Sequence, residues 1–151
     1  MNINQLARAG VIAALYVSIT YALAPVSFGP IQFRLSEALT VLPILFPESI
    51  LGLFIGTLIA NILGGLGPWD IFGGSLVTLL AAWITYRYRR SWIAYASPIV
   101  CNALLISISL HLIFEVPYWL AAVGIGVSEA FSVLVIGIPL LKLIERRDSS
   151  R

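Results

Sequence analysis

Two stretches of this chain constrain its fold more than anything else. No residue from Trp92 to Phe114 carries a full charge, and from Pro117 to Leu141 the only one that does is Glu129. A helix needs about 20 mostly apolar residues to cross the hydrocarbon core of a bilayer, and each stretch meets that requirement. Charged residues make up 11% of the chain and hydrophobic ones 60%, whereas soluble domains carry roughly 25% charged residues. A chain so poor in polar groups cannot cover itself in water, so its solvent is lipid. The 151 residues accommodate about six spans with short connections. The expectation is an all-α integral membrane bundle, one domain over residues 1–151, multi-pass in a cytoplasmic membrane.

The first apolar run follows Arg8 and ends in Ala22-Leu23-Ala24, a small-x-small pattern of the cleavable kind. Pro25 would follow the scissile bond and disfavours cleavage, so the run is expected to stay as the first membrane helix, about Gln5 to Ala24. The connection from Pro25 to Phe33 holds two prolines and a glycine and cannot be helical throughout. A second helix is expected from about Arg34 to Phe46, kinked at Pro43, and a third from about Glu48 to Leu63. Gly64-Gly65-Leu66-Gly67-Pro68 ends the third. The fourth opens at Trp69 and Asp70 and runs to about Tyr86, the fifth from about Trp92 to Phe114, and the sixth from about Pro117 to Leu143.

With six spans, Arg8, the cluster Arg87, Arg89 and Arg90, and the basic tail fall on one side of the membrane, and only Arg34 on the other. Positive residues stay cytoplasmic, which places both termini inside. The three outer loops and adjoining helix ends then bring Phe33, Arg34, Glu37, Asn61, Trp69, Asp70, His111, Glu115, Tyr118 and Trp119 toward one face, the pattern of a pocket opening outward.

Ionisable groups at membrane depth are costly and point to function. Arg34 and Glu37, three residues apart on one helical face, are close enough for an ion pair; Glu37 either serves only that pair or reads a solute. Glu129, near the middle of the sixth helix, is either an interhelical contact or a ligand group. Asn61 and Asn102 suit interhelical hydrogen bonds or solute recognition. Trp69, Tyr118 and Trp119 fit an interfacial aromatic belt or a stacking platform. Ala9 with Ala13, and Gly10 with Ala14, form small-residue rows that permit close helix approach, either inside this bundle or against a second membrane subunit.

No His/Cys grouping has metal-ligand spacing, and one histidine and one cysteine give little with which to build a nucleophile and its base. No phosphate-binding glycine loop occurs. The expectation is therefore no enzyme, no metal and no cofactor, and no nucleic-acid partner, because the basic residues are the flanks that topology demands. What remains is a binder of a small organic solute, with aromatic rings to stack on a flat ring system and carboxylates or amides to read its N–H groups.

The run from Pro25 to Pro43, with Gln32-Phe33-Arg34-Leu35-Ser36-Glu37-Ala38-Leu39 at its centre, followed by Gly52 to Asn61, Gly64-Gly65-Leu66-Gly67 and Asp70, resembles the queuosine-precursor transporter family. The likeness extends to Pro117-Tyr118-Trp119 and Glu129. It implies a six-helix substrate-binding subunit of a bacterial energy-coupling-factor importer, which would work with a membrane coupling subunit and two ATP-hydrolysing subunits. It implies a docking role for Ala9, Gly10, Ala13 and Ala14, and 7-deazaguanine precursors or queuine as substrates. Another small vitamin-like solute, or a non-transporting membrane scaffold, is the alternative.

Overall fold

The computed structural model describes residues 1–29 and 32–148. Every regular element among them is helical. Helix α1 is Ile3–Ala22, α2 the single turn Ala24–Ser27, α3 the 3₁₀ helix Leu35–Ile44 and α4 Ser49–Gly64. Helix α5 covers residues 69–87, α6 is Ile93–Phe114 and α7 covers residues 118–148. Helices α1, α6 and α7 are long and apolar enough to cross a bilayer, while α3 and α4 are shorter apolar helices. The architecture is the expected all-α membrane bundle.

Local chemistry explains the ends and interruptions. Asn2 and Gln5 form a reciprocal capping box at the start of α1, satisfying amides that have no intrahelical acceptor. Gly65 closes α4 in the left-handed region, where a Cβ would be strained. Pro98 inside α6 cannot donate to the Ala94 carbonyl. The Thr85 hydroxyl donates to that oxygen instead, at 3.0 Å.

The expected second α-helix is instead wound as 3₁₀. At about 2.0 Å rise per residue its ten residues reach about 20 Å, against about 15 Å for α geometry, so a short segment reaches further. Arg34 lies before this helix in extended backbone, φ −109° and ψ 104°. It is therefore not on a shared helical face with Glu37, and the expected close pair does not form: Arg34 bonds to Ser27 and Gln32 instead.

Helices α1 and α4 run parallel in close contact. A Cβ at Gly52 would fall 2.6 Å from the Ala9 carbonyl oxygen, and one at Gly56 would fall 3.1 Å from the Ala13 Cα. Ala9 and Ala13 are buried in this seam, so the docking role inferred for them is corrected: they pack inside the bundle. Gly10 and Ala14 lie on the exposed side of the same helix. On the far side, Gly137 of α7 packs against the Ala38 carbonyl and Val41 of α3, and Ser132 donates to the Arg34 carbonyl at 3.1 Å. Helix α3 is thus clasped between α1 and α7.

The polarity is that of a protein in lipid. Leu6, Val11, Leu76, Leu112, Val123 and Val127 are exposed, whereas Glu37, Asp70, Asn61, Asn102 and Glu129 are buried. Exposed apolar side chains face lipid tails, and polar groups must find partners inside.

Candidate functional site

The buried polar groups converge. Arg34, Glu37, Asn61, Asp70, Asn102 and Glu129 line one cavity together with Gln32, Gly74, Thr78, Ile106 and Ile125. Helices α3 to α7 all contribute. The residues sit at irregular backbone: Asp70 lies within a π-helical segment, Trp69–Gly74, Asn102 opens a second, Asn102–Ile106, and Glu129 lies just before a third, Phe131–Gly137. Such widened turns displace side chains from the regular α-helical stripe and recur at functional sites. Their loosened carbonyls find other donors. Ser75 donates to Ile71 at 2.5 Å, Ser107 to Ala103 at 2.6 Å, and Tyr118 to Leu104 at 3.1 Å.

Glu37 is gripped from two sides. Tyr16 of α1 donates its hydroxyl to Oε1, and Asn102 of α6 donates to Oε2 at 3.3 Å. Arg34 lines the same cavity without bonding to Glu37, donating to the Ser27 carbonyl at 3.4 Å and to Gln32 Oε1 at 3.3 Å, with its guanidinium 5.7 Å from the Phe28 ring. Gln32 has φ +49°, an uncommon conformation for a residue with a Cβ. Asn61 donates its amide to the Asp70 carbonyl at 2.8 Å.

Three lining oxygens have no partner among the described residues: Asn61 Oδ1, Asp70 Oδ2 and Glu129 Oε2. Buried polar atoms are nearly always paired, and each exception asks for a reason. The space between them is about 20 Å³, room for roughly one water. A larger solute must push the walls apart. Beyond Gln32 lies a wider apolar hollow of about 350 Å³, lined by Phe28, Gly29, Gln32, Leu66, Leu110, Phe114 and Val116. Apart from Leu110 on α6, these residues come from the three loop regions that the sequence placed on one face, so those loops do meet.

Four expected site residues stay outside the cavity. Trp69 and Trp119 are each 73% exposed, in keeping with an aromatic belt at the membrane interface. Tyr118 is spent on the Leu104 carbonyl and the edge of Trp119, and Phe33 packs on Phe131 with ring centres 5.8 Å apart. Tyr16, Gln32 and Thr78 were not anticipated. A signal for Thr78 existed: Asp70, Gly74 and Thr78 recur every four residues, as Asn102 and Ile106 do, and Ile125 and Glu129, which places each set on one helical stripe. Tyr16 carried no such signal.

A lipid-facing helical bundle that closes carboxylates and amides around a central cavity, beneath an apolar mouth, has the build of a membrane protein that takes up a polar solute. The chain belongs to the QueT transporter family, whose model matches residues 6–146. It is 28% identical over 158 aligned positions to the queuosine precursor transporter QueT of Lactococcus lactis subsp. cremoris (strain MG1363), covering 93% of this chain and 92% of that protein. No solved structure matches the chain.

Proposed function

We propose that this protein is the substrate-binding membrane subunit of an energy-coupling-factor importer, and that its solute is a queuosine precursor of the 7-deazaguanine class. The observation that carries this reading is the small cavity with three unpartnered acceptor oxygens, Asn61 Oδ1, Asp70 Oδ2 and Glu129 Oε2. A guanine-like edge presents adjacent N–H donors, and the Glu129 carboxylate facing that edge would accept them. The name of the Lactococcus relative agrees with such a solute. The protein binds rather than catalyses, and sits in the bacterial cytoplasmic membrane with both termini inside. A coupling subunit and two ATPase subunits supply the energy, with Gly10 and Ala14 on the exposed side of α1 as the docking row.

The test is thermal unfolding of the detergent-purified protein with 7-aminomethyl-7-deazaguanine, 7-cyano-7-deazaguanine, queuine and guanine. A ligand that binds only the folded state adds about 2.7 kcal/mol at a hundredfold excess over its Kd, which raises Tm. No shift with any of the four, from folded protein, would overturn the solute assignment. Uptake into proteoliposomes that requires ATP and the added module would support the importer role; uptake without them would refute it.

A further inference from the structure

The cavity has more acceptors than donors. The Tyr16 hydroxyl and the Asn102 amide are spent on Glu37, the Asn61 amide nitrogen on the Asp70 carbonyl, and the Thr78 hydroxyl on the Gly74 carbonyl at 3.2 Å. Arg34 spends its Nε on the Ser27 carbonyl and its Nη2 on Gln32, and the buried lining atoms left without a partner are all oxygens. Three carboxyl groups line the space against one guanidinium, Arg34, and none of the three forms a salt bridge within 4.0 Å among the described residues. The groups also divide between two ends. Asn102 ties to Glu37 at one, and Glu129 lines the same cavity. Asn61 and Asp70 are tied together at the other, beside Gly74, where a Cβ would come within 3.0 Å of the Asn61 amide.

We propose that Asn61 Oδ1 and Asp70 Oδ2 form an ammonium subsite, through which the protein selects a solute bearing a protonated aliphatic amine over the same ring carrying an uncharged acceptor substituent. The proposal rests on the function proposed above and adds the feature that decides among ring compounds. Both atoms are acceptors without a donor, on residues 1% and 2% exposed. An alkylammonium carries three donors and a full charge, matching two oxygens and one carboxylate. A nitrile in the same place would set a lone pair against them, leaving buried acceptors unsatisfied. A bare metal ion fits less well, because among the described residues no three of His, Cys, Asp and Glu stand close enough to share one. The Glu37–Glu129 end is left for the ring edge.

Calorimetric titration of the detergent-purified protein with the aminomethyl and cyano deazaguanines and with guanine tests this. In the native protein the aminomethyl compound should bind about tenfold or more tightly than the cyano compound, as expected of a charge-assisted hydrogen bond. Asp70→Asn should shrink that preference to about threefold or less while changing the cyano affinity by no more than that. Glu129→Gln should weaken both. Should Asp70→Asn fail to fold, Asn61→Ser serves for the same comparison. Equal or reversed preference in the native protein, or an Asp70→Asn that weakens both compounds alike, overturns the subsite and leaves the proposed function standing. Failure of every ring compound to bind folded protein overturns both.

Discussion

Glu37 shows what a carboxyl group needs in order to sit at membrane depth. It is 2% exposed and takes donors from Tyr16 and Asn102, on helices far apart in the sequence. A buried acceptor that loses its only partner costs about 1–3 kcal/mol. Tyr16→Phe, which leaves Glu37 Oε1 without its donor, is therefore expected to lower stability by about that amount, read as a fall in Tm in detergent. An unchanged Tm would mean that the hydroxyl contributes nothing. The residue pattern announced Glu37 and Glu129 because charge in an apolar run is conspicuous. It could not announce Tyr16, whose ring looks like any other aromatic on a lipid-embedded helix until its hydroxyl is seen to meet a carboxyl group.

The α1–α4 seam shows how one helix serves two faces. The small residues of α1 look equivalent in sequence, yet Ala9 and Ala13 are buried while Gly10 and Ala14 are exposed. Gly52→Ala would force a Cβ onto the Ala9 carbonyl, and overpacking of this kind costs about 1–3 kcal/mol. Gly10→Ala meets nothing within 4 Å and should leave the Tm unchanged. Comparing the two Tm values in the same detergent checks the assignment; equal losses would contradict it. Helix α3 carries a related lesson. Its apolar residues satisfy α and 3₁₀ winding alike, and its contacts lie across the chain: Ser132 on the Arg34 carbonyl just before it and Gly137 against Ala38 and Val41 within it.

The whole bundle puts the polar cavity beneath three loops that meet over an apolar hollow. If those loops face outward, Gly67→Cys should react with an impermeant maleimide on intact cells and Ser91→Cys should not, both in a background where Cys101 is replaced by alanine. The reverse pattern would invert the proposed topology. Docking can be separated from binding in the same way. Ala14→Trp adds bulk on an exposed side of α1, so ligand-induced stabilisation should persist while uptake with the coupling module falls by about tenfold or more, as for a lost interface anchor. Loss of both together would place Ala14 in the fold rather than at a docking face.

What the sequence determined by itself was the solvent and the approximate positions of the helices. Both follow from summed apolar transfer energies over runs of residues, which are additive and local along the chain. It also marked the polar residues that share the cavity, since burying Arg34, Glu37, Asn61, Asp70, Asn102 or Glu129 in lipid without a partner would be costly. Tertiary structure alone decided which of them meet. It bonded Arg34 to Gln32 and Ser27 rather than to Glu37, gave Ala9 and Ala13 to the interior, and left Trp69 and Trp119 at the surface. Those outcomes depend on how the helices pack against one another and on where each directs its side chains. That direction is set by contacts between helices, which no local pattern of residues encodes.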